Sequence, residues 1–159
     1  MIRSFFTYYL LALTLMSCGQ KDETFDEMVQ RMASDQVAII YPEDIPDGAI
    51  LVDRREPEEL EVSMIPGAIS DIDFEKKVER GELEPTTPVV VYCSVGYRSG
   101  LYGKDLQDQG FAEVYNLYGG IFHWVNSGRG VENVRGVTDS VHTYNKKWSQ
   151  WLEKGIKTW

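Results

Sequence analysis

The stretch Val89-Val90-Val91-Tyr92-Cys93-Ser94-Val95-Gly96-Tyr97-Arg98-Ser99 decides the reading of this chain. Its first four residues are apolar and mostly β-branched, which predicts a strand buried on both faces. Ser99 to Gln109 then reads as a helix closed by Gly110. Between them lies a short loop that begins with a cysteine. A loop joining a strand end to a helix start turns backbone N–H groups inward and forms an anion cradle. The helix N-terminus adds partial positive charge, and Arg98 adds a full one. All three favour a thiolate on Cys93 over a thiol. Gly96 permits a left-handed backbone within the loop, and Ser99 is expected to cap the helix.

Outward from this loop the pattern repeats. Val37 to Ile40, Ala49 to Val52 and Val114 to Leu117 are short apolar runs that read as buried strands. Helical patterns cover residues 24–33, 57–62, 73–80 and 121–127. Thr24 with Glu27 forms a capping-box signature for the first of these. Residues 128–139 read as a loop. Residues 140–154 read as a terminal helix in which Val141, Trp148 and Trp151 share a spacing suited to packing on the domain. Strands alternating with helices predict an α/β fold with a parallel sheet covered on both faces. In open sheets of this kind, ligands bind beyond the carboxyl ends of the strands, where Cys93 lies.

Composition excludes several classes of function. The 159 residues carry 16 Lys and Arg against 25 Asp and Glu, a net charge of -9. A nucleic-acid partner is not expected, because neutralising phosphates needs a basic face. Two cysteines and two histidines, widely scattered, make neither a disulfide scaffold nor a zinc site. No metal and no cofactor is expected.

Residues 1–17 read as a targeting segment. Arg3 is followed by a twelve-residue apolar run, Phe5 to Met16. That is shorter than the ~20 residues a membrane span needs and suits a signal-peptide core. Leu15-Met16-Ser17-Cys18 resembles a bacterial lipobox, which implies cleavage before Cys18 and lipid on its sulfur. Two or three acyl chains would anchor the chain to a membrane of the cell envelope. Residues 18–23 would form the tether and residues 24–159 the domain. Cys93 would then be the one remaining thiol, in a compartment where paired cysteines oxidise to disulfides.

Cys93-x-x-Gly96-x-Arg98-Ser99 after a hydrophobic strand resembles the active-site loop of the rhodanese-like sulfurtransferases. Asp53-Arg54-Arg55-Glu56 and Ile65-Pro66-Gly67-Ala68 resemble two further segments of that family. So do Gln109-Gly110-Phe111, Val114-Tyr115-Asn116-Leu117 and Gly119-Gly120-Ile121 through Trp124. Met64 stands where the family usually has a histidine. The resemblance implies a central parallel sheet of about five strands with helices on both sides. It also implies a persulfide mechanism. Cys93 takes the outer sulfur of a small donor such as thiosulfate and passes it to a thiol or cyanide acceptor. The loop residues Ser94, Val95, Gly96, Tyr97 and Ser99 would hold the anion, and Arg98 would stabilise it. Asp53 would brace the loop, and Arg55 would pair with local acids.

Four residues separate Cys93 from Arg98. Phosphatases that resemble this fold have one more, because a tetrahedral phosphate needs a wider cradle, so the spacing favours sulfur transfer. A binding or sensing module that turns over poorly is the rival reading. The net negative charge weakens capture of dianionic thiosulfate, which leaves a persulfide or polysulfide donor open. His123 and His142 read as packing or surface residues.

Overall fold

The computed structural model describes residues 22–33 and 37–159. The targeting segment 1–17, Cys18 and most of the tether lie outside the described residues. None of the described helices is long and apolar enough to cross a membrane.

Five strands form the central sheet: β1 (Ala38–Ile40), β2 (Ile50–Asp53), β3 (Ile69–Ser70), β4 (Val89–Tyr92) and β5 (Val114–Leu117). Their order is β1-β5-β4-β2-β3, and every pairing is parallel. The helices are α1 (Phe25–Met32), α2 (Pro57–Val62), α3 (Asp71–Glu79), α4 (Tyr97–Asp108) and α5 (Gly120–Asn126). The expected capping box is present in α1, with the Glu27 N–H donating to Thr24 Oγ1 at 3.2 Å. Strand β4 lies at the centre and is fully buried, as its unbroken apolar run predicts. Val89 and Val91 face one core with Phe74 of α3 and Leu106 of α4. Val90 and Tyr92 face the other, with Met28 of α1 and Ile121 and Phe122 of α5. The sheet is thus covered on both faces, and the loop after β4 is delivered to its carboxyl edge.

Several elements differ from the sequence expectations. β1 is an edge strand, so Ala38 and Ile39 are exposed and only Ile40 is buried. β3 is a two-residue strand, too short for any periodicity to register. The loop expected at 128–139 contains a hairpin, β6 (Val131–Asn133) paired antiparallel with β7 (Gly136–Thr138).

The largest correction is the terminal helix expected at 140–154. That segment instead contains β8 (Ser140–His142) and a 3-10 turn, Trp148–Trp151, and β9 (Ile156–Thr158) follows it. β8 and β9 pair in parallel, and the Thr143 N–H extends the pairing by donating to the Thr158 carbonyl at 2.7 Å. Tyr144 takes a left-handed φ of 64°, which ends any helical path there. Asn145 Oδ1 then accepts from the N–H groups of Lys147 and Trp148 and starts the turn. Val141 and Leu152 are fully buried, and both tryptophans pack on the core, by a non-helical route.

Candidate active site

Cys93 follows β4 directly and is 2% exposed. Its Sγ accepts a hydrogen bond from the Gly96 N–H at 3.2 Å. Gly96 is the N-cap of α4 and has a left-handed φ of 109°, the backbone expected of it. The helix therefore begins at Tyr97, two residues earlier than expected. Its first N–H groups, which have no partner within the helix, lie at the loop. Ser99 is consequently not a cap. It is buried in the first turn of α4, with Oγ 2.8 Å from Asn116 Oδ1 and 3.5 Å from Cys93 Sγ. Its single proton serves the amide oxygen or turns to the sulfur. Asn116 also donates through Nδ2 to the Gly96 carbonyl at 2.8 Å, so β5 braces the loop from below.

The loop carbonyls are held by α5. The Ile121 N–H donates to the Cys93 carbonyl at 2.9 Å, and the Phe122 N–H donates to the Ser94 carbonyl at 3.2 Å. This approach depends on Gly120, which has a φ of 54°. A Cβ on Gly120 would lie 2.1 Å from the Cys93 carbonyl oxygen. With its carbonyls engaged on that side, the loop is free to present N–H groups to the sulfur.

Arg98 lies across the loop, where the structure brings it to two carboxylates. Its Nη2 is 2.9 Å from Glu59 Oε2 and donates to Ser94 Oγ at 3.2 Å. Its Nη1 is 3.5 Å from Glu56 Oε1. Burial works to lower the Arg98 pKa, but the charges of Cys93 and Glu59 outweigh it and hold it above the usual arginine value. Glu59 is 1% exposed. Burial would raise its pKa, yet the backbone N–H of Glu56, the N-cap of α2, and the charge of Arg98 keep it below the usual carboxylate range. Ser94 Oγ also donates to Glu59 Oε1 at 3.0 Å.

Asp53 does not brace the loop directly. Its carboxylate accepts from Arg55 Nε at 2.9 Å and Nη2 at 2.7 Å, with both side chains fully buried. Arg55 Nη2 also donates to the Ser63 carbonyl at 2.6 Å, tying β2 to the end of α2. Burial alone would lower the Arg55 pKa, and the Asp53 carboxylate more than reverses this. The pair supports the site through Tyr92, whose ring centroid lies 6.0 Å from the Arg55 guanidinium carbon. Tyr92 in turn accepts the Ile65 N–H on its hydroxyl at 3.1 Å.

Cys93, Ser94 and Val95 form the floor of a cleft of about 460 Å³. Glu56, Tyr97, Arg98, Phe122, Tyr144 and Trp148 are among the residues that line the rest of it. His123 and His142 are absent from the lining. His123 packs among Phe25, Tyr41 and Tyr118, and burial keeps its pKa below the usual histidine value.

Sequence reasoning missed Glu59, Asn116 and the role of Gly120. Glu59 lies in a six-residue helix, too short for a buried acid to stand out by periodicity. Asn116 was detectable as a polar residue within the β5 run. The double glycine at 119–120 was the signal for a close backbone approach.

Comparison with known proteins agrees with this geometry. The family described as "Rhodanese-like domain" matches residues 24–127. A sulfurtransferase from Allochromatium vinosum is 35% identical over 82 residues, covering 52% of this chain and 77% of that protein. Uncharacterized protein YqhL from Bacillus subtilis is 38% identical over 76 residues, covering 48% of this chain and 60% of its own length. Among solved structures, a polysulfide-sulfur transferase homodimer from Wolinella succinogenes matches with a TM-score of 0.52 and 27% identity. That match covers 72% of this chain and 90% of that one. A thiosulfate sulfurtransferase from Pseudomonas aeruginosa shares the fold, with a TM-score of 0.54 at 24% identity, over 69% of this chain and 22% of that one.

Proposed function

We propose a sulfur-transfer function from one premise: the chain belongs to the rhodanese-like domain family. Its fold is the family's α/β fold with a five-stranded parallel sheet. The observation that carries the reading is the Cys93 sulfur at the floor of a cleft, with the Gly96 N–H aimed at it.

In this reading the Cys93 thiolate attacks the outer sulfur of a sulfane donor. A bond forms between Sγ and that sulfur, and the bond joining it to the donor breaks. The bonding pair leaves with the donor residue, as sulfite when the donor is thiosulfate. Cys93 is left as a persulfide anion, held by the loop N–H groups and the start of α4. A thiolate or cyanide acceptor then attacks the outer sulfur and restores the Cys93 thiolate. Two half-reactions through one covalent intermediate predict ping-pong kinetics. The sulfurtransferase among the relatives supports this reading.

Mass spectrometry tests it. Wild-type protein exposed to thiosulfate, inorganic polysulfide and glutathione persulfide should gain one sulfur, about 32 Da, on Cys93. Cys93→Ser should gain none. A wild-type chain left unlabelled by all three would overturn the enzyme reading in favour of a binding module.

Lipid on Cys18 would place this chemistry at a membrane of the cell envelope, on a tether of residues 18–23. Cys18→Ala should release the protein from the membrane fraction without changing its unfolding transition. Full retention of that variant, together with an unacylated wild type, would remove the anchor from the proposal.

A further inference from the structure

The cleft over Cys93 is completed by residues that the family match does not include. Thr143, Tyr144 and Trp148 line it, and all three lie beyond residue 127. The segment is built into the protein and is not draped over it. Val141 and Leu152 anchor it in the core beside α5, and Thr143 is tied through its N–H to β9. Tyr144 stands at the rim in a left-handed conformation that only a few non-glycine residues adopt. Its N–H donates to His142 Nδ1 at 3.2 Å, and the residue is 61% exposed. With Trp148, Phe122 and Met32 it gives the vestibule a largely apolar wall.

The charges in the vestibule point the same way. Arg98 is the one cation among the described lining residues, and it already faces Glu59 and Glu56. Two carboxylates against one guanidinium leave a local excess of one negative charge before the sulfur is counted. A dianion arriving at a thiolate would meet no unpaired cation among the described lining residues. A donor that carries its sulfur on an apolar carbon group, with a single negative charge, would place that group against the aromatic wall and its terminal sulfur at Cys93.

We propose that this vestibule selects organic sulfane donors of low charge, meaning alkyl or aryl persulfides and thiosulfonates, over thiosulfate. The inference rests on the sulfur-transfer reading above. With a thiosulfonate, the Cys93 thiolate bonds to the terminal sulfur and the donor S–S bond breaks. The bonding pair leaves on the sulfinate, the persulfide anion stays on Cys93, and no proton or external electron is needed.

The test compares three donors on the purified full-length chain, with cyanide as acceptor: thiosulfate, methanethiosulfonate and benzenethiosulfonate. In ping-pong kinetics kcat/KM for the donor reports the first half-reaction alone. Benzenethiosulfonate should exceed thiosulfate by about 10-fold or more, the discrimination an apolar pocket supplies. Trp148→Ala should lower the benzene-to-methane ratio, because that ratio reads the wall at constant charge. Glu56→Gln, at an exposed position, should raise kcat/KM for thiosulfate about 3-fold relative to methanethiosulfonate by removing one negative charge. Thiosulfate used as well as benzenethiosulfonate, or both ratios unmoved by the variants, would overturn the selectivity while leaving sulfur transfer intact. If none of the three donors leaves a persulfide on Cys93 while inorganic polysulfide or glutathione persulfide does, the selectivity fails and sulfur transfer stands; if those two also leave none, sulfur transfer itself fails, and the selectivity with it.

Discussion

Gly120→Ala probes the joint between α5 and the sulfur loop. The new Cβ would sit 2.1 Å from the Cys93 carbonyl oxygen and 2.8 Å from the Ser94 carbonyl carbon and oxygen. Ordinary contact begins near 3.4 Å, and the opposing atoms are backbone, so they have no rotamer by which to retreat. The residue must also hold a left-handed φ, which costs an L-residue about 1–2 kcal/mol. Overpacking adds about 1–3 kcal/mol. If the loop retreats instead, two hydrogen bonds worth about 1 kcal/mol each are lost. The expected total is about 2–5 kcal/mol by either route, a large share of the ~5–15 kcal/mol that holds a domain folded. Gly81→Ala is the matched control. Its φ is 65° and a Cβ there meets nothing within 4 Å, so it should cost only the conformational 1–2 kcal/mol, roughly. Urea unfolding followed by tryptophan fluorescence measures both variants, and iodoacetamide alkylation of Cys93 reads the loop. If Gly120→Ala unfolds no more easily than Gly81→Ala and alkylates at the wild-type rate, the joint does not hold the loop as described.

Two other substitutions test the charges around the site. Asp53→Ala leaves the Arg55 guanidinium buried without its carboxylate and should cost about 3–5 kcal/mol in chemical denaturation; a loss below 1 kcal/mol, roughly, would show that water replaces the carboxylate. Glu59 has a depressed pKa in the folded state, so its stabilisation is complete above the unfolded carboxylate value near ~4.3 and is lost as pH falls through the lower folded value. The stability gap between wild type and Glu59→Gln should therefore be flat near neutrality and close in acid; a gap that widens on acidification would reverse the assigned sign.

What the sequence disclosed follows from how local each signal is. The run at 89–92 and the loop after it are legible because burial of a strand on both faces and a cysteine-to-arginine spacing are written in consecutive residues. The start of α4 is displaced because Gly96 caps it without a side-chain bond, whereas Ser99 has the chemistry of a cap and spends it on Asn116 and Cys93. The segment after residue 139 is misread because Val141, Trp148 and Trp151 fit one face of a helix. Val141 is in fact placed by strand pairing with residues 156–158, a partner that no local pattern announces, and the two tryptophans reach the core from a 3-10 turn. Glu59 meets Arg98 only through the fold, across a separation that spacing arguments do not bridge.

The bonds from the Ile121 and Phe122 amides to the Cys93 and Ser94 carbonyls also give the molecule a built-in clock. Deuterium enters those two amides only when the bonds part, so their exchange measures how often and at what free energy the loop opens in the native ensemble. The reporters sit on α5 and leave the thiol untouched, so the measurement runs equally on the thiolate and on the persulfide. Slower exchange in the persulfide form would mean that the bound sulfur tightens its own cradle. Turnover faster than the opening rate would mean that sulfur enters and leaves with the loop closed.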